Sequence, residues 1–432
     1  MVPTSKKLVI SGYYGFRNSG DEAVLKSILT ALEEESQRSN VTIEPIVLSI
    51  DPAWTSSMYG VRAVHRMKLK EVREALKESD GLISGGGSLL QDATGLKSIP
   101  YYLGVIKLAQ WLKKPTFIYA QGIGPVNRKI FNPMIKSVFK SCTYVSVRDE
   151  QSADYLRRLG LKWNQIHVVP DPVMGLPLPE KTAVLSEGTV PSAVATGTAA
   201  DANRNVAAED AGATSTVTTH DASDVATAVD ATLEQDAISS GSSEVKHVKL
   251  PVIGVSVRFW EADRKELTAI AAGLKKLAAK KAVHLRFMPF HLPDDVQASR
   301  FIMEMLGDIT RKGSEISITE DLTDPQLMLE EVSRCDLMIG MRLHSLIYAA
   351  SQYVPPVGIS YDPKIDQFLL RLESEPAGDT GSLDGDKLAE QVAGLLDQRS
   401  QWLKQHEERI TALKQEAREP AKQIITYLGR KG

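Results

Sequence analysis

The chain of 432 residues is 43% hydrophobic and 24% charged. That is ordinary globular composition at a length suited to two or three domains; it excludes a fibre or peptide and lets the chain bury a sizeable core without disulfides or a structural metal. Lys and Arg number 51 against 54 Asp and Glu, a formal charge of -3, which argues against a nucleic-acid coat or a polybasic membrane anchor and predicts no nucleic-acid partner. Cys142 and Cys335 are the only cysteines, so no disulfide framework or CxxC metal site is expected and a reducing cytoplasm fits. Met1 to Lys7 is too short and polar for a signal peptide, and no run of about 18 apolar residues could span a bilayer.

From Leu8 to Asp171 short apolar runs alternate with stretches of helical spacing, which predicts strands at Leu8 to Ser11, Ile46 to Leu48, Gly81 to Ser84, Thr116 to Ala120, Tyr144 to Val147 and His167 to Val169. Mostly unbroken apolar runs favour a parallel sheet covered by helices on both faces. The stretch 191–240 then holds 14 Ala, 8 Thr and 5 Ser with no Phe, Trp, Tyr or Lys, and so cannot bury much apolar surface. Alternation resumes with strands at Val252 to Ser256, His284 to Met288, Leu337 to Ile339 and Pro356 to Ile359 and a helix over Arg264 to Lys280. Amphipathic helices close the chain, with Pro420 marking a break. The expected layout is a Rossmann-like domain at 1–180, a disordered insert at 187–246, a second Rossmann-like domain at 247–399, and C-terminal helices at 400–432. The acidity belongs to the insert: 191–240 carries one Arg against eight Asp and Glu. The rest of the chain is mildly basic, which permits peripheral association with a membrane surface.

Open α/β sheets bind ligands beyond the carboxyl ends of their strands, which directs attention to five turns. Gly12 to Glu22 precedes a helix and offers Asn18 and Asp21 to a sugar hydroxyl, with Ser19 or Asp21 as helix cap in the plainer reading. Gly85-Gly86-Gly87-Ser88, followed by Gln91 and Asp92, allows close backbone approach to a ligand or serves as a tight packing turn. Gln121-Gly122-Ile123-Gly124-Pro125 forms a further wall. Arg148 and Arg258 each follow a strand, where a guanidinium fork suits a carboxylate or phosphate. Met341-Arg342-Leu343-His344-Ser345 places Arg342 and His344 on one side of an extended stretch, with Ser345 as a cap and His344 positioned for proton transfer. Lys364 follows the next strand. These cations make an anion site with one proton-transfer group; the spacings give no metal site, no glycosidase carboxylate pair and no hydrolase elbow.

Together the segments Gly15 to Ala23, Ser84 to Asp92, Gln121 to Pro125, Val147 to Asp149 and Met341 to Ser345 resemble the polysaccharide pyruvyltransferase family, most closely its CsaB-type branch from Gram-positive cell-wall polymer synthesis. The resemblance covers nearly the whole chain except the insert, which is longer than the interdomain connection typical of that family. It implies two Rossmann-like α/β domains in a GT-B-like arrangement, 1–180 on the acceptor side and 247–399 on the donor side, with the active site in the cleft between them. It further implies phosphoenolpyruvate (PEP) as donor substrate with no other cofactor. The implied acceptor is N-acetylmannosamine (ManNAc) in a lipid-linked disaccharide or secondary cell-wall polymer precursor. That sugar would be ketalised at O4 and O6, and the pyruvylated polymer would retain S-layer proteins through their SLH domains. Family analogy points to Arg148, His344 and Lys364 as the donor set, with Arg342 in the shared motif; Arg258 is added on position. His344 would be the acid/base, protonating the PEP methylene carbon or accepting a proton from the sugar, while Asn18, Asp21, Gly86, Gly87 and Gln91 would face the acceptor. Location in the cytoplasm, at the inner face of the membrane, follows from such an acceptor. A nucleotide-sugar glycosyltransferase and a non-catalytic polymer-binding scaffold are the alternatives.

Overall fold

The computed structural model describes residues 4–92, 95, 97–179, 249–319 and 322–430; the insert expected at 187–246 lies outside the described residues. The first sheet holds seven strands, β1 (Thr4–Tyr14), β2 (Val41–Ser49), β3 (Arg62–His65), β4 (Gly81–Gly85), β5 (Thr116–Gln121), β6 (Tyr144–Val147) and β7 (His167–Val168). All are parallel, in the order β3-β2-β1-β4-β5-β6-β7. The second holds β8 (Val252–Ser256), β9 (His284–Phe287), β10 (Glu315–Ile318), β11 (Leu337–Gly340), β12 (Pro356–Ser360) and β13 (Gly378–Asp379), parallel in the order β10-β9-β8-β11-β12-β13. Both sheets are doubly wound, with the order reversing between β1 and β4 and again between β8 and β11. Every residue of β4, β5, β11 and β12 is buried, which is why their sequences read as unbroken apolar runs.

Ten strands lie where the sequence places them. The three it does not show, β3, β10 and β13, are all sheet edges and none has a fully buried residue. An edge strand covered on fewer sides needs no continuous apolar run.

Helices α1 (Ser19–Gln37), α2 (Pro52–Tyr59), α3 (Leu69–Glu78), α4 (Ser98–Trp111), α5 (Phe131–Lys140) and α6 (Glu150–Arg158) connect the first sheet. Helices α7 (Lys265–Lys280), α8 (Asp294–Leu306), α9 (Pro325–Ser333), α10 (Leu343–Ser351), α11 (Pro363–Arg371) and α12 (Gly385–Asp397) connect and flank the second. The tail forms α13 (Arg399–Glu416) and α14 (Glu419–Gly429). Pro420 sits in the first turn of α14, where its missing N–H interrupts no helical bond, so the break falls just before it.

Both sheets belong to one compact unit, residues 1–180 and 249–432. One continuous buried cluster explains this: Val24, Leu25 and Ile28 of α1, Val173 and Met174 of a short 3-10 turn (Pro172–Gly175), and Leu346 and Ile347 of α10 pack into it together. Helix α14 contributes Ile424 and Leu428 to the same cluster, and its Tyr427 ring meets Phe117 of β5 edge-on at 5.5 Å. The C-terminal helix thus returns to the first sheet and ties the chain's end to its beginning.

Candidate active site

At a switch point two neighbouring strands send their connections to opposite faces of the sheet, leaving a crevice at the carboxyl ends. The turns after β1 and β4 and those after β8 and β11 therefore face one another, and a cleft of about 890 Å³ opens there. Asn18, Asp21, Gly87, Gln91, Arg148, Arg258, Arg342, His344 and Lys364 all line it. Gly86 does not. Its φ is +56°, and a Cβ on it would sit 1.8 Å from Val24 Cγ1, so that glycine serves the packing of β4 against α1. Gly87 has φ +68° and its absent Cβ would lie 3.0 Å from Asp21 Oδ1, so here the same run lets a carboxylate come close to the backbone.

The first turn is organised by carboxylate and amide caps rather than by Ser19 or Asp21. Asn18 Oδ1 accepts from the N–H groups of Gly20 (3.0 Å) and Asp21 (3.4 Å), leaving its amide nitrogen for other partners. The buried Glu22 accepts from Gly15 N–H and from the Tyr59 hydroxyl, both at 2.8 Å, and so fixes the loop. Burial and then the neighbouring Glu22 push the Asp21 carboxyl up to about 7, against the pull of Arg148. The second and third turns are joined by Asp92, whose carboxylate accepts from the N–H groups of Asn127 and Arg128, each at 2.8 Å.

Arg148 is buried and fully engaged. Its Nη2 donates to Ser88 Oγ at 2.7 Å, its Nη1 to Asp171 Oδ2 at 3.4 Å, and its Nε lies 3.6 Å from Asp149 Oδ2. The guanidinium lies flat over Gly122, where a Cβ would be 2.8 Å from Nε. That contact is the reason for the first glycine of the Gln121–Pro125 turn. Asp149 also caps α6 through Ser152 N–H.

In the second sheet's turns the cations differ in freedom. Arg342 forms a two-pronged pair with Asp295, Nε to Oδ2 at 3.0 Å and Nη2 to Oδ1 at 2.5 Å. Asp295 is wholly buried and also accepts from the N–H groups of Phe290 and His291. Most of the Arg342 fork is therefore committed to holding the 290–291 loop. Lys364 meets Asp362 at 2.8 Å with both side chains about one third exposed, an exchangeable surface pair. Arg258 has no carboxylate partner among the described residues; its Nη1 donates to the Tyr361 hydroxyl at 3.0 Å and its guanidinium lies 5.1 Å from the Trp260 ring centre.

His344 stands in the first turn of α10, not in an extended stretch, and Ser345 lies inside that helix, its hydroxyl donating back to Arg342 O at 2.7 Å. The half-buried imidazole rests on Gly20, where a Cβ would be 2.2 Å from Nδ1. Among the described residues its Nε2 has no hydrogen-bond partner, and Asp171 Oδ2 lies 3.9 Å from it. Burial is the main force that brings His344 down to about 4; Asp171 opposes it, and Arg148, Lys364 and Arg342 add to it. Gly20→Ala should thus lower the melting temperature, by the about 1–3 kcal/mol typical of an overpacked contact, and cut turnover, because its methyl group overlaps the imidazole and displaces it. Thermal melts beside initial rates read both.

Asp171 is the central residue that sequence reasoning omits. It touches both Arg148 and His344 and caps the turn at Val173. The signal was present: Asp171-Pro172 follows β7, and the rule that flagged Arg148 applies equally there. Tyr13, Tyr102, His291 and Tyr361 also line the cleft, as aromatic residues with no motif to mark them.

Solved structures share this architecture. A glycosyltransferase from Rickettsia africae aligns with a TM-score of 0.57 at 11% identity, over 99% of this chain and 100% of that one. The UDP-GlcNAc 2-epimerase of Neisseria meningitidis, solved with UDP-GlcNAc, aligns at 0.54 and 11% over 99% and 100%. Anabaena HepE with UDP-glucose aligns at 0.53 and 10% over 99% and 100%. At these identities the likeness defines the fold, which is GT-B. No curated protein matches the chain. The family described as polysaccharide pyruvyl transferase matches residues 18–363, a span that begins inside the first turn, at Asn18, and ends one residue before Lys364, and the chain belongs to that family of polysaccharide-modifying transferases.

Proposed function

We propose that the protein transfers the pyruvyl group of PEP to ManNAc in a lipid-linked precursor of a secondary cell-wall polymer, forming a 4,6-ketal and releasing phosphate. In this reading the reaction takes place in the cytoplasm and the product supports S-layer retention through SLH domains. The observation that carries the proposal is the convergence on one cleft of Arg148, Arg258 and Lys364 with the unpartnered Nε2 of His344. PEP bears a carboxylate and a phosphate, and these cations would grip both. Because Arg342 is held by Asp295 and Arg148 by Ser88 and Asp171, we give the larger share of donor binding to Arg258 and Lys364, with Arg148 adding the N–H groups its partners leave over.

The chemistry balances without a cofactor. Protonation of the methylene carbon makes C2 electrophilic; one sugar hydroxyl adds, the C2–O bond to phosphate breaks, and the second hydroxyl closes the ketal. Of the two hydroxyl protons, one replaces that given to the methyl group and one leaves with phosphate. His344 would move protons at Nε2, Arg148 and Lys364 would neutralise the departing phosphate, and Asn18, Asp21, Gly87 and Gln91 would hold the sugar.

Phosphate release from PEP, with and without a ManNAc-terminated acceptor, tests this directly. Acceptor-dependent release is the expected result. Saturable UDP binding with no dependence on PEP would instead establish the nucleotide-sugar reading, and binding of acceptor without turnover of either donor would establish a scaffold.

A further inference from the structure

A second cavity, about 460 Å³, lies between α4 and α5. On α4 it is lined by Pro100, Leu103, Gly104, Lys107 and Trp111, spaced so that they share one helix face; on α5 Met134 faces them. Trp111 is 72% exposed and Met134 43%, and Ile130, 73% exposed, extends the α5 stripe by one turn. A Cβ at Gly104 would meet nothing within 4 Å, so the floor of the groove is open.

The charge of the segment that carries it is one-sided. From residue 93 to 147 the sequence has eight Lys and Arg and no Asp or Glu. Lys113, Arg128, Lys129, Lys136 and Lys140 are exposed. Among the described residues only Arg128 of these five forms an ion pair, with Asp92 at 3.9 Å. An apolar groove lined by Lys107 with an exposed indole at its rim, on a segment whose exposed cations other than Arg128 form no ion pair among the described residues, complements an interface of acyl chains under anionic headgroups.

We propose that the α4–α5 face docks on an anionic lipid bilayer. Lys97 and Ser98 at the start of α4 line the catalytic cleft, and the helix runs its 14 residues from there to Trp111, about 21 Å at the usual rise. A face so placed would bring the cleft beside a bilayer-held acceptor. That role rests on the lipid-linked acceptor proposed above, whereas the binding itself does not.

Co-flotation of the full chain with vesicles tests the surface. Binding to phosphatidylglycerol-rich vesicles, absent with pure phosphatidylcholine and weakened by raising salt from 0.05 to about 0.5 M, is expected. Trp111→Glu, and separately Lys129→Glu with Lys136→Glu, should each weaken partitioning about tenfold or more, with unchanged melting temperature and unchanged turnover of a soluble acceptor fragment. Equal binding by wild type and these variants, or no binding to anionic vesicles at low salt, overturns the proposal. So does self-association that Trp111→Glu abolishes in the absence of vesicle binding, which would assign the face to a second copy of the chain. Loss of soluble-acceptor turnover by the wild-type protein would count against the proposed reaction and not against this surface.

Discussion

Replacing His344 with Ala or Gln should lower acceptor-dependent phosphate release by about 10²–10⁴-fold, the usual contribution of a positioned acid/base group. Structure and PEP affinity should stay close to wild type. Among the described residues the imidazole has no hydrogen-bond partner at Nε2, so its removal strands no buried partner of that atom. The pocket beside Gly20 loses one packed ring. Gln fills much of that volume and can hydrogen-bond, but it cannot carry a proton, so equal loss in both variants separates proton transfer from packing. Near-normal release by His344→Ala would remove His344 from the mechanism.

The state in which His344 enters the reaction follows from its surroundings. Held at about 4 chiefly by burial, it is a neutral imidazole in the empty cleft at pH 7, ready to accept a proton. PEP would add negative charge against the same ring and raise its pKa, so donor binding favours the protonated form needed to reach the methylene carbon. Stability carries an opposite pair of signatures. The His344 pKa lies below its unfolded value near 6.5, so the unfolded chain takes the proton first and this contribution is lost as pH falls from about 6.5 to 4. Asp21 lies above its ordinary value, at about 7, so the folded chain holds the extra proton and that contribution is lost as pH rises from about 4 to 7.

How much of this was legible in the sequence depends on what each residue answers to. Buried strands announce themselves because both faces need apolar side chains, and the rule that ligands gather beyond strand ends located Arg148, Arg258, Arg342, His344 and Lys364 from strands alone. Partners were not legible. That Asp295 takes up Arg342 depends on the start of α8 meeting the residue that precedes α10, and nothing near either residue in the chain signals it. Gly86 and Gly87 looked alike as sequence, yet Val24 demands the first and Asp21 the second. Position in the chain could separate neither pair.

Arg148→Ala should have the other large effect, acting on stability and donor binding at once. The variant would strand Asp171, which is buried, and leave Asp149 without its cation. Breaking a buried pair from one side costs about 3–5 kcal/mol. The backbone should hold, because Arg371 donates to the Arg148 carbonyl at 3.0 Å and that bond survives the substitution. Arg148→Lys should recover part of the stability, since an ammonium still faces a carboxylate. It should not recover the KM for PEP, because a point charge cannot span Ser88, Asp171 and a donor oxygen as a planar fork does. Pairing Arg148→Ala with Asp171→Asn divides the two roles. With the stranded charge removed, the melting temperature should rise toward wild type while PEP affinity stays lost. If stability and affinity recovered together, Arg148 would be a positioning residue for the turn at Asp171, and the donor would have to be gripped by Arg258 and Lys364 alone.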